Sequence, residues 1–199
     1  MSARIVYVMG PSGAGKDSLL AWLLQHLPPQ PPVHMARRTV TRAVHAGDEQ
    51  HESVTPQAFA QLREAGAFAF DWHANGLDYG VRNEELRTRG ADAWVIVSGS
   101  RAYLSQALVK APHMKVVYIG AGIDTLRRRL LARGRENPEN VEARVQRAAA
   151  FHAPPQALRI DNDGELADAG GQLLRVFERL TASDAAVLNV SAPASRTSL

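Results

Sequence analysis

Ile5-Val6-Tyr7-Val8-Met9-Gly10-Pro11-Ser12-Gly13-Ala14-Gly15-Lys16-Asp17-Ser18 is the stretch that decides how the chain folds. Five consecutive apolar residues, several of them β-branched, suit a strand buried on both faces, so this segment is expected to be a central parallel strand. Gly10 to Lys16 then fit G-x-x-x-x-G-K, and Ser18 to Leu24 carry helix-forming residues until Pro28-Pro29 stops the pattern. Strand, glycine loop and helix in that order form the context in which this motif cradles phosphate. Without Cβ atoms in the way, backbone N–H groups converge on phosphate oxygens, and the helix N-terminus adds positive potential. Lys16 supplies a point charge for the β- and γ-phosphates of a nucleotide. Gly10, Pro11, Ser12, Gly13, Ala14, Gly15, Lys16, Asp17 and Ser18 are therefore the candidate nucleotide-binding residues.

The residue after the lysine is ordinarily Ser or Thr, whose hydroxyl meets Mg2+; here it is Asp17, followed by Ser18. Either Asp17 or Ser18 is the candidate metal ligand, a carboxylate oxygen being a good hard donor. The alternative for Asp17 is an acid in the first helical turn, favoured by the helix dipole. The second strand candidate ends Val97-Ser98-Gly99-Ser100, with no Asp to act as a further metal anchor. That favours a small-molecule kinase over a motor ATPase.

Outward from the loop, 199 residues that are 45% apolar suffice for one core and not for two, so a single domain is expected. Four prolines in residues 28–32 make a stiff connector. Thr55 as N-cap with Pro56 at the first helical position predicts a helix to about Gly66. Strands are expected over Ala67–Trp72 and around Tyr79, flanking the turn Asn75-Gly76. Further strands are expected at Ala93–Val97 and Lys115–Ile119, each preceded by a helix, and an edge strand at Ala157–Asp161. Helices are expected over Ile123–Ala132, Asn140–His152 and Glu165–Leu180. The alternation implies an α/β fold with a central parallel sheet and helical crossovers. Thr181–Leu199 reads as a disordered tail.

Net charge is +3, with lysine confined to Lys16, Lys110 and Lys115, so arginine carries nearly all the positive charge. Phosphate clamping by bidentate arginine and GC-rich coding both account for such a bias. Aromatics are 6% and the arginines lie in separate clusters, which argues against a nucleic-acid surface. No long apolar run suits a membrane span, and no cysteine is available for disulfides or thiolate metal sites. The expectation is a cytoplasmic protein whose partners are small molecules. Arg127, Arg128, Arg129, Arg133, Arg135, Arg144 and Arg147 crowd around Gly134; such cations repel unless an anion comes between them, while Glu136, Glu139 and Glu142 offer salt bridges to the outer ones.

Residues Ile5 to about Leu180 resemble the guanylate kinase superfamily through the phosphate loop, Thr41-Arg42, Gly47-Asp48-Glu49, Phe70-Asp71-Trp72, Tyr79-Gly80 and Arg133-Gly134-Arg135-Glu136. Within it, Lys16-Asp17-Ser18, Trp72 to Leu77, Gly99-Ser100-Arg101, Arg133 to Asn137 and Asn162-Asp163-Gly164 resemble the ribose 1,5-bisphosphate phosphokinases. The resemblance implies a P-loop NTPase three-layer fold of the nucleoside monophosphate kinase type. An acceptor-binding region would lie at about 33–90 and an arginine-rich lid at about 127–147. It also implies ATP as donor, Mg2+, and conversion of ribose 1,5-bisphosphate to phosphoribosyl pyrophosphate in phosphonate breakdown. Lys16, Arg133 and Arg144 would then act on the phosphoryl in transit, and Asn162 would sit near the adenine. The chain departs from guanylate kinase at His45, in place of a second arginine, at Val81, in place of a serine, and at Ser98 or Ser100, in place of an acid. These losses undermine guanine reading. For a sugar bisphosphate, Arg42, Arg82 and Arg101 are candidate clamps and Tyr79 a hydroxyl donor, each with surface charge or packing as its alternative. Asp71 matches a guanine-reading acid and equally suits a ribose hydroxyl. The competing readings are guanylate kinase or another nucleotide kinase, and a non-catalytic guanylate kinase-like interaction module.

Overall fold

A computed structural model of the chain describes residues 4–42, 51–87, 93–134 and 137–190, with side chains of the last helix described to residue 182. His45, Gly47-Asp48-Glu49, Arg135 and Glu136 lie outside the described residues.

Strand β1 (Arg4–Met9) is central to a parallel five-stranded sheet that also contains β2 (Val33–Met35), β7 (Trp94–Ser98), β8 (Lys115–Gly120) and β9 (Leu158–Asp161), in the order β2-β7-β1-β8-β9. The strand alternates faces, as the pleat requires. Val6 and Val8 join one core cluster with Ile96, Val117 and Ile119, while Ile5, Tyr7 and Met9 join the other with Val95, Val97 and Val116. Both sides are covered, which explains the unbroken apolar run. Each such buried aliphatic side chain contributes on the order of 1.5–3 kcal/mol.

The first cluster is closed by α1 (Lys16–His26), α4 (Ile123–Ala132), α5 (Pro138–Ala149) and α6 (Leu166–Val190). Helices α1 and α6 approach closely because Gly170 has no side chain; a Cβ there would collide with the Trp22 ring. Helices α4 and α5 form a hairpin through Gly134 at φ 59°, and Asn137 caps α5 by accepting from the Asn140 N–H at 2.9 Å. The second cluster is closed by α3 (Leu104–Lys110) and by a four-stranded sheet of β4 (His51–Ser53), β3 (Arg38–Val40), β6 (Leu77–Arg82) and β5 (Phe68–Ala74). Helix α2 (Pro56–Glu64) covers the far side of that small sheet, with Thr55 accepting from the Ala58 N–H at 3.1 Å and Phe59 stacked on Phe68. Asn75 and Gly76, both at positive φ, make the tight β5–β6 turn.

Two expectations are corrected. The last helix runs on to Val190 rather than ending near Leu180, so the first half of the expected tail is helical. Between β6 and β7 the described residues contain only a 3-10 turn, Asn83–Leu86, in place of a full helix.

Candidate functional site at the phosphate loop

The loop is shaped by its neighbours. Gly10 passes so close to β8 that a Cβ would overlap the Ile119 carbonyl oxygen, and Gly13 and Gly15 take φ of 89° and 80°. Asn162, fully buried, follows β9 and donates its Nδ2–H to the Ala14 carbonyl at 2.8 Å, pinning the loop from behind. Arg129 of α4 holds Asn162 in turn by donating to its carbonyl at 2.9 Å. Next to it, Asp163 accepts from the Gly122 N–H at 2.6 Å, at the start of α4. A cleft of about 360 Å³ opens beside the loop, lined among others by Gly13, Gly15, Ser18, Arg133 and Asn162. Replacing Asn162 with Asp would set a carboxylate against the Ala14 carbonyl in a buried place. The expected cost is about 1–3 kcal/mol of unfolding free energy at neutral pH, measured by denaturant titration. Wild-type stability in that variant would contradict the bracing role.

Lys16 keeps part of its stem in solvent, but its ammonium is enclosed and donates to the Gly10 and Pro11 carbonyls at 3.0 and 3.1 Å. Burial pushes its pKa down to about 8; Asp17 pulls it up, while Arg38, Arg101 and Arg133 push it further down. Lys16 on α1 thus feels the positive charge of Arg38 on β3, Arg101 in the loop after β7 and Arg133 at the end of α4. Such a cluster is costly unless an anion enters it. From the α4–α5 hairpin, Arg144 on α5 donates to Ser12 Oγ at 3.1 Å, which brings this expected residue to the phosphate loop. The outer charges of the hairpin pair as salt bridges do at a surface: Arg127 lies 3.0 Å from Glu142 and 2.8 Å from Asp124.

Asp17 and Ser18 part company. Asp17, with a 64% exposed side chain, lies 3.9 Å from Arg38, on the side of the cation cluster, whereas Ser18 lines the cleft. The hydroxyl of Ser98, which ends β7 in register with Val8, is buried and has no hydrogen-bond partner among the described residues.

Arg101 is set by a stack of rings. Its guanidinium lies 4.9 Å above Phe151, which stacks on Tyr118 at 5.6 Å. Its loop is drawn in because Gly99 leaves room for the Tyr7 ring, whose hydroxyl donates to the Ser100 carbonyl at 2.8 Å. Burial lowers the pKa of Arg101 and raises that of Tyr7.

Strand register separates the remaining expected acceptor ligands. Arg38, His51, Val81 and Phe70 are paired across the small sheet, as are Val40, Tyr79 and Trp72, and these residues face the core; Arg42, two positions beyond Val40, lies 3.2 Å from His51 Nε2. Thr39, Glu52, Gly80 and Asp71 form the alternate set, facing α2. Asp71 accordingly pairs with Arg63 of α2 at 3.0 Å and with Lys110 at 3.5 Å, and Arg82 pairs with Glu52 at 2.5 Å. Tyr79 stacks on Trp72 at 5.6 Å. The structure therefore brings Arg101 to the loop and puts Arg42 and Tyr79 on the core-facing side, and it turns Asp71 and Arg82 away into ion pairs that tie the small sheet to its surroundings. Arg38 is the residue that the sequence reading missed. Period-two alternation through Arg38-Thr39-Val40-Thr41-Arg42 would have put it on the same face as Arg42.

A parallel sheet with a phosphate loop after its central strand, a second small sheet and an arginine-bearing helical hairpin define a P-loop kinase. Its fold is similar to that of guanylate kinase from Anaplasma phagocytophilum, with a TM-score of 0.60 over 90% of this chain and 87% of that one, at 15% identity. The chain belongs to the ribose 1,5-bisphosphate phosphokinase PhnN family. It is 45% identical over 178 residues to the Ribose 1,5-bisphosphate phosphokinase PhnN of Pseudomonas paraeruginosa, covering 87% of this chain and 95% of that protein. It is 44% identical over 186 residues to the protein of that name from Burkholderia mallei, covering 92% and 100%. No family model matches the chain. Among the described residues no helix is long and apolar enough to cross a membrane.

Proposed function

We propose that the protein transfers the γ-phosphoryl of ATP to the 1-phosphate of ribose 1,5-bisphosphate, giving 5-phospho-α-D-ribose 1-diphosphate and ADP in phosphonate degradation in the cytoplasm. The observation that carries this reading is the enclosed Lys16 ammonium at the phosphate loop, held by the Gly10 and Pro11 carbonyls and under the charge of Arg38, Arg101 and Arg133, in a chain whose relatives bear that activity in their name. One bond forms, between an acceptor phosphate oxygen and the γ-phosphorus, and one breaks, between the γ-phosphorus and the β–γ bridging oxygen. The acceptor oxygen is already ionised at neutral pH, so the chain need not supply a base. Its work is positioning and charge neutralisation.

In this reading the loop amides from Gly10 to Lys16 and the Lys16 ammonium hold the β- and γ-phosphates. Ser18 and Asn162 line the cleft that receives the nucleoside side of ATP, Asn162 also fixing the loop's shape. Arg133 and Arg144 shield the charge of the migrating group, and Arg101, Arg42 and Tyr79 receive the acceptor. Asp17 fits Mg2+: one accessible carboxylate beside the loop is the protein's share when phosphate and water supply the other ligands. When bound, the ion would neutralise charge on the β- and γ-oxygens.

The test is an assay of purified protein with ATP, Mg2+ and ribose 1,5-bisphosphate, following 5-phosphoribosyl diphosphate by phosphorus NMR. Turnover is expected with the sugar and at least about 100-fold less with GMP, for which the serine, acid and second arginine of the guanine site are replaced. Equal or better turnover of GMP would reject the assignment of acceptor.

A further inference from the structure

Arg38 is set in a way that charge neutralisation alone does not explain. It sits on β3 facing the core, in register with His51 and Val81. Its side chain is only 20% exposed, yet its one ion pair among the described residues is long, 3.9 Å from Nη2 to an Asp17 oxygen. Its Nε–H is buried and has no hydrogen-bond partner among the described residues. A guanidinium holds five N–H donors in a rigid fork, and leaving a buried one unmade is expensive. Arg101 shows the same feature: a buried Nη1 without a partner among the described residues. Two arginines with unspent buried donors, both acting on the charge of the Lys16 ammonium, suit a second phosphate beside the one at the loop.

We propose that Arg38 and Arg101 together clamp the phosphate group that accepts the phosphoryl, and that Arg38 leaves Asp17 to do so. This rests on the reading of the protein as a kinase with a phosphate acceptor, and it names which residues distinguish that acceptor from a hydroxyl. Before the acceptor arrives, Asp17 holds Arg38 near its working place and offsets part of its charge beside Lys16. When the acceptor phosphate enters, it takes over the guanidinium and Asp17 is released toward the nucleotide's phosphates. Acceptor binding thereby completes the donor side of the site, so the two substrates should favour each other's binding.

Arg38→Gln removes the charge and the fork and keeps the stem. The expected result is a loss of about 100-fold or more in kcat/KM for ribose 1,5-bisphosphate, with ATP affinity changed by no more than about threefold. Arg38→Lys should recover only part of that loss, because an ammonium cannot replace the fork. If Arg38 served only to neutralise Asp17, its replacement would be harmless once Asp17 is uncharged. The ratio of kcat/KM between Asp17→Asn and the Asp17→Asn/Arg38→Gln double variant separates the two roles: a retained ratio of about 100 supports the clamp, and a ratio near one overturns it. Thermal unfolding of each variant shows whether a loss comes from misfolding, in which case the retained ATP affinity would vanish with it and the clamp would be rejected on Arg38→Lys. Should the wild type fail to use ribose 1,5-bisphosphate, the assignment of substrate falls by itself. The clamp is then judged by inorganic phosphate binding to ADP-loaded protein, measured calorimetrically: weaker binding in Arg38→Gln upholds it and unchanged binding overturns it.

Discussion

Lys16→Met is expected to lower kcat/KM for ATP by about 10³-fold while making the ligand-free protein more stable. Both effects have one cause. The ammonium is enclosed and among the described residues donates to two loop carbonyls alone, and burial, with the charge of three arginines, holds its pKa at about 8. Keeping it charged in the folded state therefore costs on the order of 3 kcal/mol relative to the unfolded chain, a cost present at all pH values below about 8. Between pH 8 and 10.5 the unfolded chain binds the proton and the folded one does not, so this group makes stability rise with pH over that window. Met fills the same space without the charge, and the variant should show a higher denaturation midpoint at pH 7 and lack that rise. Catalysis moves the other way: kcat/KM for ATP should fall above pH about 8 as free Lys16 deprotonates, while kcat holds to higher pH because bound phosphates raise the pKa again. A variant with unchanged or reduced stability at pH 7 would mean that the ammonium is better solvated than its surroundings indicate.

Arg144→Ala is expected to reduce kcat by about 10³-fold with little change in the KM for ATP. Arg144 projects from the α4–α5 hairpin and donates to Ser12 Oγ of the loop, and the proposed mechanism assigns it to the charge that builds up on the migrating group rather than to the ground-state nucleotide. Arginines in that position act mainly in the transition state, which places their effect in kcat. Arg144→Lys should restore only a small part, since a shorter point charge lacks the forked donors. Steady-state kinetics decide the matter: an Ala variant within about tenfold of the wild-type kcat would remove Arg144 from the reacting centre.

The parts of this site that were legible in the sequence are those in which local chemistry dictates structure. Ile5 to Met9 could be nothing but a doubly buried strand, Gly10 to Lys16 had to turn tightly after it, and Thr55-Pro56 announced its helix through a cap that the structure shows. What could not be read was which face of the small sheet each residue occupies. The pairing of Asp71 with Gly80 rather than with Tyr79, and the bulge between Phe68 and Phe70, set which side chains look at α2 and which at the core. A slip of one residue reverses that assignment, so Asp71 and Arg82 looked like ligands from the motif alone. The end of the last helix was missed for a different reason: the hydrophobic period fades after Leu180, but Ala185, Ala186 and Leu188 keep helix propensity high without it.

The central claim is that one cluster of cations built around Lys16 receives both the donor's terminal phosphate and the acceptor's phosphate. A crystal structure of the protein with a non-hydrolysable ATP analogue, Mg2+ and ribose 1,5-bisphosphate tests it most directly. The account predicts the γ-phosphate within hydrogen-bonding distance of Lys16 Nζ and Arg144, and the acceptor's 1-phosphate between Arg38 and Arg101. A sugar phosphate bound instead on the α2 side of the small sheet, among Arg63, Asp71 and Arg82, would contradict it.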